Sequence, residues 1–570
     1  MSFCYDFAGR VARKRQTVRG VELEVAYTHT RAGRLSTITL PDGAIIHYHY
    51  DAAGGVSSVE RELPSGDLKV IVGNIEHTAF NSIKSWDAGA RHVERVHDLY
   101  GRVTELSGGK TDGLNASLAW GREGHVSRIS SGTEGLVLVY DGLGRLKSAA
   151  SPTGTAHYSY DQAGNRTRKM SYGLSGITHE DYRYASESHR LMSVDTATPA
   201  YLALVNAPSA KSSPRTYDLA GNTTSIDRRE FVYDDAGRMV QVKVDGIVGM
   251  NYVYSVSGQQ VARYVAGETT VALYDEAGHW IGDYDGAGRA IRQIVWLGDL
   301  PVAVLEGERT LDIQPDHLGA PRVIVDSAED KAIWAWSMTG EPFGSDAPNE
   351  DPDGNGVRYV FDMRFPGQRF DAVTGLFQNG WRDYDPSVGR YVQSDPIGLM
   401  GGIATYAYVA SDPYTRIDPK GLDGMIVNFP NYMADTGFGF RLPLGHSGAV
   451  AINEVTGETH YFDIGRYGGK YGDVRGPHDV GTVRFDEHGQ PTESSLLSVL
   501  GKISTDWGHG YTPVVTAYSK NADALSMWAF AMERQANISK YPYTINPFSG
   551  YPMNFCHKFA KDVFAAGMQK

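Results

Sequence analysis

One phrase keeps returning along this chain: an aromatic residue, Asp, two variable residues, Gly, then Arg or Asn. It reads Tyr5-Asp6-Phe7-Ala8-Gly9-Arg10 and again Tyr140-Asp141-Gly142-Leu143-Gly144-Arg145. Tyr160-Asp161 leads to Gly164-Asn165, Tyr217-Asp218 to Gly221-Asn222, and Tyr233-Asp234 to Gly237-Arg238. Tyr274-Asp275 leads to Gly278 and Tyr284-Asp285 to Gly288-Arg289, with looser copies at Tyr50-Asp51, His97-Asp98 and Tyr254. Each copy has the chemistry of strand, tight turn, strand. The Asp accepts backbone hydrogen bonds inside the turn, and Gly reaches positive φ. The Arg-x-apolar stretch opens the return strand, as in Gly144-Arg145-Leu146. A lone hairpin cannot bury its own face, so neighbours must stack. The expected fold is therefore mostly β.

Composition agrees. The 66 glycines in 570 residues are about 12%, against a usual ~7%, as many tight turns require. Only two cysteines, Cys4 and Cys556, are present, at opposite ends. They exclude a disulfide framework and a tetrahedral cysteine zinc site. A net charge of −13 argues against a nucleic-acid surface. There is no run of 18 apolar residues for a transmembrane helix and no apolar run for a secretory signal peptide. The chain is expected to be made in the cytoplasm.

Over about residues 1–422 the repeats resemble the YD repeats of the Rhs family of bacterial polymorphic toxins. The resemblance implies a spiral β-sheet that closes into a hollow, chemically inert shell around a toxin. Domains are expected at 1–314 (repeat shell), 315–422 (Rhs-associated core) and 423–570 (toxin). The core texture starts with Pro315-Asp316-His317-Leu318-Gly319-Ala320-Pro321-Arg322. Gly340-Glu341-Pro342-Phe343-Gly344, Phe365-Pro366-Gly367-Gln368, Arg382-Asp383-Tyr384-Asp385-Pro386 and Gly389-Arg390-Tyr391 follow. Two copies of Asp-Pro-x-Gly-Leu close it, Asp395–Leu399 and Asp418–Leu422. Rhs proteins with this pair cut themselves after the second Leu, which implies cleavage between Leu422 and Asp423. Two carboxylates held close share a proton, so one can activate water while the other polarises the carbonyl. Asp395 and Asp418 are the expected dyad, and Arg382 stands where the family has a supporting arginine. An isolated Asp-Pro-x-Gly is otherwise only a turn.

The repeat texture stops at Leu422. Residues 423–570 carry 12 Lys and Arg against 14 Asp and Glu, so charge gives no sign of a nucleic-acid binder. A hairpin is expected from Gly448–Ile452 through Asn453–Glu458 to Thr459–Ile464. Leu496–Ile503, Ala522–Ala536 and a C-terminal segment capped by Asn554 and stopped by Gly567 read as helices. Cys556 then lies in a helix first turn, where the dipole and free N–H groups lower a thiol pKa. A small buried apolar role is the ordinary alternative.

His446 first and Asn554-Phe555-Cys556 last resemble the circularly permuted papain-like fold, over roughly 440–567. Lecithin:retinol acyltransferase and permuted NlpC-type hydrolases belong to that group. The resemblance implies an α+β domain in which His446 takes the proton of Cys556 and the thiolate attacks an amide or ester carbonyl. If Asn453 pairs with Glu458, Gly448 faces Asp463, and His446 and Asp463 share a face. Asp463 is then the expected orienting residue. His460 is the reserve, because a bulge would reverse parity. Asn554 is a second auxiliary candidate. His478, His488 and His509 share no ligand spacing, and no metal or cofactor is expected.

The expected function is an interbacterial toxin whose shell releases a cysteine hydrolase by self-cleavage. Peptidoglycan amide bonds are the first substrate class and lipid acyl groups the next. The alternative is a shell carrying a nuclease or a non-catalytic binding domain. Partners implied by the family are a cognate immunity protein and a secretion apparatus or adaptor, with delivery to the target cell's periplasm favoured. The repeat begins at Tyr5 with no export domain visible ahead of it, so a longer parent chain, an orphan Rhs or a separate adaptor remain open.

Overall fold

The computed structural model describes residues 1–421 except 80, 174–175, 187, 199–208 and 397–403. Beyond 421 it describes seven strands and Lys502. The chain divides into two compact units: Met1–Ser394 with Tyr406–Gly421, and Asp395–Thr405 with Leu422–Lys570.

In the first unit each repeat is a hairpin, and its turn is closed by its own Asp. The backbone N–H groups of Leu143 and Arg145 both donate to Asp141 Oδ1, at 2.9 and 3.0 Å. The Arg145 Nε–H donates to Asp141 Oδ2 at 2.7 Å. Gly144 sits at φ 76°, which a side chain would strain. The same set recurs at Asp6, Asp98, Asp234 and Asp285. Each repeat Tyr falls at a register shift where the partner strand bulges, as at Val139/Tyr140 and Ser159/Tyr160.

Tyr and Arg also tie each hairpin to its neighbour. The Tyr160 hydroxyl donates to the Leu146 carbonyl at 2.7 Å, Tyr217 to Leu191 at 2.9 Å and Tyr233 to Thr223 at 2.7 Å. In each case the carbonyl belongs to the first residue of a neighbouring strand. Arg145 stacks over the Tyr160 ring at 4.7 Å and donates to the Asp161 carbonyl at 3.1 Å. Tyrosine is thus frequent because it spans two strands with one apolar body and one polar tip.

The strands from Ser2–Tyr5 to Lys331–Ala335 form a continuous antiparallel meander of 31 strands, each paired with the next in sequence. The sheet returns on itself. Lys14 Nζ donates to the Tyr274 carbonyl at 2.7 Å and Gln16 Nε2 to the Ala272 carbonyl at 2.9 Å. Tyr48 OH reaches the Trp296 carbonyl at 3.1 Å. Between these layers lies a core with Leu23, Val25 and Trp86 on the early side and Val271, Leu273 and Val302 on the late side. A four-stranded sheet follows: Gln368–Asp371, Leu376–Asn379, Arg382–Asp385 and Arg390–Tyr391.

In the second unit five antiparallel strands form one sheet, in the order Asp473–Thr482, Glu458–Gly465, His446–Ile452, Ile426–Phe429, Val514–Val515. Ala434–Asp435 and Arg441–Leu442 pair separately. The hairpin expected around residues 448–464 is present. The three expected helices lie outside the described residues, apart from Lys502. Among the described residues no helix is long and apolar enough to cross a membrane.

Candidate functional site

The end of the first unit forms a buried polar cradle. The strands Leu376–Asn379 and Arg382–Asp385 are joined by the two-residue turn Gly380-Trp381, with Asn379 opposite Arg382. The segment Asp418-Pro419-Lys420-Gly421 lies against this turn. Trp381 N–H donates to the Lys420 carbonyl at 3.2 Å. A Cβ on Gly380 would stand 2.2 Å from the Lys420 oxygen, and one on Gly421 2.2 Å from the Asn379 oxygen. Both positions need glycine for this close backbone approach.

Arg382 is the centre of the cradle. It is one of the largest fully buried side chains in the described residues, at 1% exposure. Its guanidinium lies 3.7 Å from the Tyr391 ring centroid. Its Nε–H donates to the Gly421 carbonyl at 2.7 Å, and its Nη2 pairs with Asp418 Oδ2 at 3.0 Å. The Tyr391 hydroxyl donates to the same carboxylate oxygen at 2.7 Å. Asn379 Nδ2 donates to the Asp418 carbonyl at 2.9 Å and to the Tyr391 hydroxyl at 2.7 Å. A buried guanidinium with a paired carboxylate and a carbonyl acceptor is well compensated for its desolvation.

Arg382, Asp418 and the residue just before Leu422 are therefore together. Asp395, the other expected acid, is buried at 4% exposure, and its N–H donates to the Thr405 carbonyl at 2.8 Å. It belongs to the second unit. Leu422 and Asp423 lie outside the described residues.

Sequence reasoning missed Asp383. This carboxyl neighbours Arg382 in the chain and is 6% exposed. Burial, with a contribution from Asp371, pushes it up to about 7, against the hydrogen bond from Gln393 Nε2 at 2.6 Å. It holds its proton at a pH where ordinary carboxyls have lost theirs. The only signal in the sequence was its place beside Arg382.

In the second unit the ladder pairs Gly448 with Asp463 and Ala451 with His460, with no shift along it. His446 is two residues from Gly448, so His446 and Asp463 share one face as diagonal neighbours, and His460 is on the other. His446 itself pairs with Phe429. Cys556 and Asn554 lie outside the described residues.

Comparison with known proteins divides the chain along the same lines. The Teneurin YD-shell family model matches residues 202–406 and the RHS Repeat model residues 140–176. The model described as Type VI secretion system effector TseH-like matches residues 430–570. A probable deoxyribonuclease, RhsB of Dickeya dadantii, is 26% identical over 74% of this chain and 28% of its own length. The double-stranded DNA deaminase toxin A of Burkholderia cenocepacia is 26% identical over 70% of this chain and 30% of its own length. The chain thus spans under a third of either relative. Among solved structures, the Tc holotoxin pore of Photorhabdus luminescens carrying a substituted TccC3 aligns with a TM-score of 0.53 and 16% identity. That alignment covers 73% of this chain and 23% of the other. That likeness supports the fold of the repeat region.

Proposed function

From a chain that carries an Rhs/YD-repeat toxin shell followed by a TseH-like effector region, we propose that it is an interbacterial toxin that cuts itself after Leu422 and frees a papain-like cysteine hydrolase. The observation that carries the hydrolase is the effector match over residues 430–570, within which His446 and Asp463 share a face of one sheet. Cys556 is the nucleophile and His446 its base. Asp463 orients the imidazole, with His460 and Asn554 in reserve roles. The thiolate attacks a carbonyl carbon, the leaving amine takes the proton from His446, and water releases the acyl group. Peptide bonds of peptidoglycan are the first substrate class and lipid acyl groups the second. Incubating the purified chain with isolated cell-wall sacculi tests this. New free amines should appear with the wild type and not with Cys556→Ala. Equal release by both would overturn it.

For self-cleavage, Arg382 supports the reading by holding the Gly421 carbonyl next to the bond to be cut. The ionised acid takes a proton from water as its oxygen attacks the Leu422 carbonyl carbon, and the protonated acid polarises that carbonyl; the carbon–nitrogen bond to Asp423 then breaks, and the proton taken from water passes to the leaving amine. Asp395 and Asp418 form the proposed dyad. A second reading gives the protonated role to Asp383, because burial keeps its proton on to about pH 7 while Asp418 already accepts from Arg382 and Tyr391. Asp418 would then serve with Arg382 to fix the segment Asp418–Gly421. Delivery would need a secretion apparatus or adaptor, and the producing cell an immunity protein. The deoxyribonuclease and deaminase relatives keep a nucleic-acid toxin as the alternative for residues 423–570.

A further inference from the structure

Three consecutive residues, Val409, Ala410 and Ser411, hold φ at 44°, 51° and 61°. None is glycine, and Val is β-branched, so its side chain crowds the backbone there. Among the described residues no other three non-glycine residues in succession have positive φ, and most of the single cases are Asn or Asp. A left-handed turn of this kind is unfavourable by itself and persists only where its surroundings impose it. Val409 and Ser411 are buried and Ala410 is exposed. The turn is closed by the Ser411 N–H donating to the Tyr408 carbonyl at 2.9 Å and the Asp412 N–H to the Val409 carbonyl at 3.1 Å.

The constraint lies just after the turn. Asp412 is fully buried, and its Oδ2 accepts from Nδ1 of His125, a repeat residue 287 positions earlier, at 2.7 Å. The His125 ring stacks on Tyr140 at 4.6 Å, and a Cβ on Gly144 would stand 2.9 Å from its Cε1. The imidazole is thus held by the neighbouring repeat. The next residue, Val126, donates its N–H to Thr415 Oγ1 at 3.3 Å, and His317 Nε2 donates to the Tyr414 carbonyl at 2.7 Å. The other cation near Asp412 is the partly exposed Arg416, with Nε 3.9 Å from Oδ2. The repeat array therefore fixes the stretch from Asp412 to Thr415.

Both ends of the turn bear on Tyr391. Tyr408, just before it, packs its ring 5.8 Å from the Tyr391 ring. Past Thr415 only Arg416 and Ile417 precede Asp418, whose Oδ2 accepts from the Tyr391 hydroxyl and pairs with Arg382. The chain leaves Tyr391 at Tyr408 and returns to it at Asp418. The hand of the turn between them sets how that return is made.

We propose that His125 is a positioning residue for self-cleavage: through Asp412 it keeps the turn Val409–Ser411 left-handed, and the turn places Asp418 against Arg382 and Tyr391. This rests on the self-cleavage reading given above. His125 takes no part in the bond chemistry. It raises the fraction of chains in which Asp418 is in place. Without it the turn relaxes toward ordinary backbone, and the short segment leading to Asp418 shifts with it. Cutting is thereby made conditional on the repeat array, because the turn is imposed only once the repeat that carries His125 has closed on Asp412.

The test uses the full chain, comparing wild type with His125→Ala, His125→Asn and the double variant His125→Ala, Ala410→Gly. The Asn amide can donate to Asp412 in place of Nδ1. Glycine at the exposed position 410 makes left-handed backbone easy without help from His125. Appearance of the fragment ending at Leu422 is followed by intact mass after synthesis, well below the melting temperature of every chain. Melting is measured on the same chains blocked from cutting by Asp418→Asn. His125→Ala should slow cutting roughly 10- to 100-fold, the effect of losing one hydrogen bond to a buried charge. His125→Asn and the double variant should each recover most of the wild-type rate. Cutting by His125→Ala at the wild-type rate would overturn the proposal while leaving self-cleavage intact. Slowing that either of the other two variants leaves uncorrected would overturn it as well. Failure of His125→Ala to fold, with or without Ala410→Gly, would also overturn it, by making the pair a support of the whole fold. An uncut wild type would remove the self-cleavage reading and this proposal with it.

Discussion

At the residue scale, the most informative side chain is one that sequence reasoning passed over. Asp383 was legible only as part of a motif around Arg382. Its raised pKa follows from burial and from the charge of distant Asp371, against the hydrogen bond from Gln393, ten residues on, none of which a local pattern reveals. Its consequence for pH is specific. The folded-state value, about 7, lies above the ~3.9 of an unfolded Asp, so the folded chain holds a proton that the unfolded chain has lost. The resulting stability is complete below the unfolded value and is lost as pH rises through about 7. Asp383→Asn keeps an oxygen for the Gln393 amide and removes the charge. Denaturant unfolding at pH 5 and pH 8 should show the wild type weaker at pH 8 by roughly 1–3 kcal/mol from this group, and the variant free of that component. An unchanged pH dependence in the variant would contradict a buried, protonated Asp383. Arg382 and Asp418 were legible because each sits in a short fixed phrase, although only the fold brings them within 3.0 Å.

At the scale of the element, the hairpin was legible in full, since Asp and Gly stand at fixed offsets and do their work within five residues. The links between hairpins were not. Nothing in a single repeat says that its Tyr will cross to the preceding strand or that its Arg will stack on the following ring. These links make the array cooperative, because each repeat is stabilised by its neighbours. Tyr160→Phe removes the bond to the Leu146 carbonyl and keeps the ring under Arg145. It should lower stability by about 1 kcal/mol. Asp141→Ala removes the turn's two backbone acceptor bonds and its Arg145 partner together, and should have at least twice that effect in the same unfolding experiment. Equal effects would mean that the turn is held by Gly144 alone. The hairpin of the second unit was legible for a different reason. Strand periodicity and a short turn leave few registers, and Gly448 opposite Asp463 is the one that forms.

At the scale of the whole molecule, the chain joins a repetitive β array to a C-terminal region of a different kind. The array was legible because it repeats; its return on itself, with Lys14 against Tyr274, joins residues 260 apart and leaves no local trace. The division of the chain between Gly421 and Leu422 coincides with the end of the cradle around Arg382. If that cradle is the cutting machinery, purified wild-type chain should have two masses divided after Leu422. Asp395→Asn and Asp418→Asn should each leave one intact mass. An Asp383→Asn chain that also stays intact, beside an Asp418→Asn chain that is cut, would select Asp383 for the protonated role. An intact wild type would remove self-cleavage altogether.

The most direct measurement is growth of a bacterial host making the whole chain, once retained in the cytoplasm and once exported to the periplasm, each beside Cys556→Ala. The proposed cysteine hydrolase of the cell wall predicts killing from the periplasm that disappears in the variant, with the variant made in equal amount. Killing by the Cys556→Ala chain would contradict it.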